Sequence, residues 1–227
     1  MRCLSLLLIF FSFLCQAQNI REKSVNLSDG SKLTYQLLNG YLNGLYSTKK
    51  GDVTLLRGSY VGNERVGNWY FFNPDNTLFM RYNYDQRKLL YVNNEMLALA
   101  TIKVNSGDNE VDQKASLPIP IISMAQYFTL IPDEAKKVIP TEDQITDSSL
   151  PIEILARING NGEATYTVTY KKKGKDVVKN FELNIDSFKL DWIPAAYASR
   201  TFPSEFSIKT ELVFLKNKDE IKRFNWN

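Results

Sequence analysis

The sequence predicts a mainly β, α+β protein. Its N-terminal part reads as an array of β-hairpins forming an antiparallel meander, followed by a small α+β domain with a three- or four-stranded antiparallel sheet. Three observations predict this. The chain repeats itself at a spacing of about two dozen residues, where "LYSTKKGDVTLLRGSY" (Leu45–Tyr60) aligns without a gap onto "WYFFNPDNTLFMRYNY" (Trp69–Tyr84). Periods of twenty to fifty residues mark a supersecondary unit copied along the chain. Apolar and polar residues alternate within each copy and again after residue 146, the period-2 signature of strands with one buried face. Helical patterning is confined to one stretch in the middle of the chain.

The elements follow in order. Arg2, the apolar run Leu4–Leu14 and the small residue Ala17 form a secretory leader with a cut after Ala17, so residues 1–17 are set apart as a signal peptide. The run is too short for a comfortable membrane span. A lipoprotein reading would acylate Cys15, but bulky Leu14 stands where that processing wants a small residue. The mature chain is expected to be exported, and periplasmic or associated with the outer envelope. Both cysteines, Cys3 and Cys15, lie in the leader, and the sequence contains no histidine. Disulfides, thiolate nucleophiles, imidazole bases and Cys/His metal sites are thereby excluded from the mature protein. The formal charge of +3 falls to +2 without Arg2, and no basic stripe is visible in the order of residues, so nucleic acid is not an expected partner.

Residues 18–96 hold the repeats. In the later copy Leu78, Met80, Tyr82 and Tyr84 share one face, and Phe79, Arg81 and Asn83 the other. The turn "NPDN" (Asn73–Asn76) presents Pro74 where a type I turn wants its φ preset, and the earlier copy turns at "KKGD" (Lys49–Asp52). A worn upstream copy, Ser28–Gly44, carries an Asp29-Gly30 turn with a spacing that differs by two residues. Asp85–Asn93 reads as a terminal strand.

Residues 97–145 are a connecting segment with short helices. Val104–Ser116 is polar and turn-rich, a linker in which Asp108, Glu110 and Asp112 do not match the EF-hand spacing for calcium. Ile121–Ile131 fits a buried helix or a strand. Pro132–Ile139 fits a helix with Pro132 at its first position, acids in the first turn and lysines near the end.

Residues 146–227 read as strands: Glu163–Tyr170, a turn at "KKKGK" (Lys171–Lys175), Asp176–Ile185, the element "DWIPAAY" (Asp191–Tyr197), and a closing strand Ser204–Leu215.

Two resemblances follow from these residues. The repeat unit, with Gly58, Tyr60, Gly62, Gly67, Trp69, Tyr70 and Phe71, resembles the bacterial MORN-type (YwqK-like) repeat, which implies a hairpin array and says little about activity. Gly162, Tyr166, Val168, Gly174, Trp192, Pro194, Ala195, Phe206 and Phe214 resemble the C-terminal domain of the TonB energy-transducer family. Two departures stand beside that likeness: only Asp186–Asp191 is available where the family places a helix, and Ala198-Ser199 replaces the glycine after Pro-Ala.

No catalytic, cofactor-binding or metal site is expected. "STKK" (Ser47–Lys50) matches the Ser-x-x-Lys spacing but lacks the helix and the partner motifs of that chemistry. A carboxylate pair doing glycosidase-type work remains an alternative without a motif. The expected role is a non-catalytic interaction or scaffold module whose partner is an envelope or outer-membrane protein. The alternative is a glycan or peptidoglycan binder using exposed aromatics. Trp69 and Trp192 are expected in the core, while Phe72 and Phe79, on the off-register face, are candidates for exposure. The TonB likeness implies docking by strand addition, which points to the closing strand or its neighbour and to Phe206, Ile208, Lys209, Thr210 and Glu211.

Overall fold

The computed structural model describes residues 20–93, 95–144, 148–183 and 188–214; the expected leader lies outside them. Among these residues seven consecutive strands, β1 (Ile20–Asn26), β2 (Lys32–Leu38), β3 (Tyr41–Lys50), β4 (Val53–Val61), β5 (Glu64–Phe72), β6 (Leu78–Asn83) and β7 (Lys88–Val92), form an antiparallel meander in sequence order.

The turns show why the chain folds back where it does. Asp75 Oδ1 accepts hydrogen bonds from the backbone N–H (3.0 Å) and the hydroxyl (2.6 Å) of Thr77. Asp29 does the same for Ser31, at 3.0 and 2.5 Å. Each loop is closed by the same backbone pair, Leu27 N to Ser31 O and Asn73 N to Thr77 O. The upstream copy is therefore a true copy at its turn, built by a short side chain that bonds its own backbone two residues on.

The gapless alignment, in contrast, is corrected by the strands. Tyr46 and Trp69 occupy equivalent inward positions, flanked by the inward Thr48 and Phe71, whereas Leu45 is 67% exposed. Tyr46 thus matches Trp69, not Tyr70. Leu56 and Met80 do match at the original spacing, since each faces the second inward residue of the preceding strand. The extra residue lies in the turn between them.

A second correction concerns Phe79. In β5–β6 pairing Phe71 faces Met80 and Phe72 faces Leu78, which leaves Phe79 as the additional residue of a β-bulge. The earlier copy has its bulge at the same place, at Leu55. A bulge sets two residues against one and disturbs the strict alternation of faces. Phe79 and Met80 are accordingly both fully buried, so Phe79 presents no ring to solvent.

The second sheet has five antiparallel strands in the order β12 (Lys175–Phe181), β11 (Ala164–Lys172), β10 (Ser148–Ile158), β16 (Ser204–Phe214) and β8 (Thr101–Val104). Four come from the expected C-terminal segment and the fifth, β8, from the connecting segment. Lys173 and Gly174, both at positive φ, make the tight β11–β12 turn that the lysine-rich stretch predicts. Short pairs complete the module: β9 (Ile119–Pro120) with β13 (Trp192–Ile193), and β14 (Ala195–Tyr197) with β15 (Arg200–Phe202).

Helix α1 (Asn109–Lys114) occupies the polar stretch. Asp108 caps it, Asp112 accepts from Ser106 N at 2.7 Å, and Glu110 pairs with Lys114, so each of the three acids has a local partner. Helix α2 (Met124–Lys136) is continuous through Pro132, with Ser123 as its N-cap. Pro132 is therefore inside the helix and not at its first position. Burial of Tyr127, Leu130, Ile131 and Ala135 against the sheets outweighs the one hydrogen bond that the proline removes. One continuous core joins the inner face of the meander, α2 and the inner face of the second sheet.

Candidate functional site

The inward face of the meander is a contiguous set of rings. Trp69 lies 5.4 Å from Tyr46, 5.3 Å from Tyr60 and 5.4 Å from Tyr84, centroid to centroid. Gly58 is required beneath it, because a Cβ there would stand 2.2 Å from Trp69 Cδ2. Arg65 closes this set from the side, with its guanidinium 4.6 Å from the Trp69 ring.

Arg65 also joins the meander to the segment of the second module that leads into β13. It donates to Asp191 Oδ2 at 3.0 Å, to Tyr60 Oη at 2.9 Å, to Tyr84 Oη and to the carbonyl of Lys189. Burial alone would favour its neutral form, but Tyr84, Tyr60 and Asp191 outweigh this and raise its pKa. Tyr84 is pushed upward chiefly by its own burial. Beside this junction opens a cleft of about 1900 Å³, lined by Arg65, Glu64, Arg87, Glu163 and Asn180 among others. Asp191, which also lines it, is engaged by Arg65. Among the described residues no group of three His, Cys, Asp or Glu side chains is placed to hold a metal ion.

The outward face of the meander is different in kind. The register lines up one residue from each strand: Ser24, Thr34, Ser47, Arg57, Tyr70, Arg81 and Tyr91. Arginine and tyrosine alternate over the last four. Arg57 is exposed and sits 4.8 Å over the Tyr70 ring and 5.5 Å over Phe72. Phe72 is half-buried under this guanidinium. Tyr91 is 45% exposed at the sheet edge. Among the described residues neither Arg57 nor Arg81 pairs with a carboxylate, and Arg81 Nε is buried without a hydrogen-bond partner. Strand spacing sets Arg57 and Arg81 about 9–10 Å apart.

The residues expected on the closing strand divide by face. Phe206 and Ile208 point into the core, Phe206 packing edge-on against Tyr127 (5.6 Å) and Trp192 (5.2 Å). Lys209 and Glu211 are exposed and Thr210 is half-buried. Strand β16 is not an edge over its first half: β8 covers Ser204–Ser207, while β10 pairs along its whole length. Beyond Ser207 no described strand continues on the β8 side. Trp192 is buried as expected, and its indole N–H donates to Tyr166 Oη at 2.8 Å.

Sequence reading missed the arginine–tyrosine row, although one signal for it was present, since Arg57 and Arg81 fall on each other in the repeat. It also missed Arg65, whose partners Asp191 and Lys189 stand more than a hundred residues away.

The fold and its surfaces thus define a class: a mainly β protein whose described residues build two large antiparallel sheets around one helix, with a basic, aromatic outer face and a tyrosine–arginine junction on the inner side of the meander. No protein-family model, no curated protein and no solved structure matches this chain.

Proposed function

We propose that the chain is an exported, non-catalytic binding protein of a bacterial envelope, and that the outer face of its seven-stranded sheet takes a polysaccharide strand. The observation that carries this is the Arg57–Tyr70–Arg81–Tyr91 row, extended by the hydroxyls of Ser24, Thr34 and Ser47. Tyr91 offers a ring face open to solvent, and Arg57, stacked over Tyr70 and Phe72, and Arg81, neither of them paired with a carboxylate among the described residues, keep N–H donors for a ligand. The secretory leader read from Arg2–Ala17 would place such a surface among envelope glycans. The test is co-sedimentation with insoluble polysaccharides, peptidoglycan included. Tyr91→Ala, at an exposed edge position, and Tyr70→Ala should each lower retention about tenfold, the loss of one stacking contact. Equal retention of wild type and both variants would refute the assignment.

A second reading, docking of an envelope protein by strand addition, is favoured by one observation: among the described residues no strand pairs with the Ile208–Phe214 half of β16 on the β8 side. Successive N–H groups along a strand alternate sides. One of Lys209→Pro and Thr210→Pro therefore removes a donor from the open side, and the other disrupts the ladder with β10. The variant that keeps the wild-type urea midpoint should lose capture of the partner. Unchanged capture would end this reading.

A further inference from the structure

We infer that the polysaccharide held by the outer face is acidic, with one carboxylate recurring at every second sugar. This rests on the glycan-binding reading above and adds the chemistry of its ligand.

Charge is the first ground. The outward positions carry Lys32, Lys49, Arg57, Arg81 and Lys88, against the two acids Glu22 and Glu64. The whole chain is nearly balanced, with 28 basic and 25 acidic residues, so this one-sided face is a local segregation. Three aspartates of the meander turns are engaged locally: Asp29 and Asp75 close their own loops, and Asp85 accepts from Gly67 N at 3.0 Å. A cluster of one sign without internal neutralisation costs self-repulsion, which an anionic ligand relieves.

Spacing is the second. Arg57 and Arg81 stand two strands apart on the same row, about 9–10 Å. In an extended β-linked polysaccharide a given substituent returns to the same side at every second sugar, with a rise close to two strand spacings. Each guanidinium would then meet one carboxylate through paired N–H donors, Arg57 from its place over the Tyr70 ring, while Tyr91 lies under a sugar at the sheet edge. A nucleic acid strand places a charge at every residue and does not fit this interval. Phe72 backs Arg57 from the turn side and holds its plane.

The experiment compares a hyaluronan decasaccharide, in which uronate and hexosamine alternate through β linkages, with its carboxyl-reduced derivative, whose backbone is the same but neutral. Binding to the full mature chain is measured by calorimetry at low and at physiological salt. Wild type should prefer the acidic form by at least tenfold at low salt, and the preference should shrink as salt rises. Arg57→Gln and Arg81→Gln should each reduce the preference for the acidic form about tenfold, and Tyr91→Ala should weaken both ligands. Arg57 is exposed and its substitution leaves the core untouched. The polymer comparison on wild type needs no variant at all. Equal affinity for both forms, or preference for the reduced one, overturns the acidic inference and leaves glycan binding standing. Absence of binding to either form together with failed co-sedimentation overturns both. Tighter binding to an oligothymidylate of equal charge overturns the inference in favour of a nucleic acid surface.

Discussion

Replacing Arg65 by Met keeps an unbranched apolar stem and deletes the polar junction between the meander and the segment that leads into β13. The guanidinium side chain is only 7% exposed and its acid partner, Asp191, 24%. Removing one member of a buried ion pair costs about 3–5 kcal/mol, because the other charge is left uncompensated. Asp191 retains some access to water, the Lys189 ammonium at 3.4 Å and the Tyr84 hydroxyl at 3.1 Å, which moves the expectation to the lower end. Tyr60 Oη, Tyr84 Oη and the Lys189 carbonyl each lose a charged donor, and Trp69 loses the cation over its ring. Relief from holding a buried guanidinium offsets part of this sum. The net expectation is a loss of about 3 kcal/mol. With a urea slope of ~2 kcal/mol/M, the midpoint should fall by roughly 1.5 M. Arg65→Lys should recover less than half, since a lysine cannot reach four partners lying around a planar fork. A double-mutant cycle with Asp191→Asn should give a coupling of about 1–2 kcal/mol. A loss below about 1 kcal/mol for Arg65→Met, with an unchanged slope, would refute the view that this residue fastens the meander to that segment.

The remaining expectations concern the meander and the tyrosines. Phe79→Ala should destabilise by about 3–5 kcal/mol and Phe72→Ala by much less, since the bulge buries only the former; reversed magnitudes in urea melts would contradict the bulge. Gly58→Ala should cost about 1–3 kcal/mol by pressing a methyl into Trp69, visible as a shift in tryptophan emission along with a lower midpoint. Tyr46, Tyr84, Tyr127 and Tyr166 have raised pKa values, chiefly from burial, and Tyr170 is pushed up to about 12 by burial and its hydrogen bond to Asp143. Folding favours their protonated forms, so this stability is intact below the unfolded value of about 10 and is lost as pH rises through the folded ones. Phenolate absorbance should therefore rise in a cooperative step coincident with unfolding at alkaline pH; a smooth titration with the fold intact would count against it.

What the residues alone determine here is local. The Asp-x-Ser and Asp-x-Thr turns close on themselves through bonds two residues long, and alternation commits each segment to being a strand with one wet face. The charged two-residue turn at Lys173-Gly174 is legible for the same reason. Fold class therefore follows from sequence, since it is the sum of such local commitments. The position of a side chain across a sheet is another matter. One extra residue in the turn between β5 and β6 moves Trp69 into the place of Tyr46, and one bulge turns Phe79 inward, although neither event alters composition or period. Pro132 sits within α2 because tertiary burial outweighs a single lost bond. The Arg57–Tyr70–Arg81–Tyr91 row exists only through the register of four strands, and Arg65 meets Asp191 across 126 residues of chain. Register and long-range pairing depend on which strands lie side by side, and that is decided by packing the two sheets and α2 around one core.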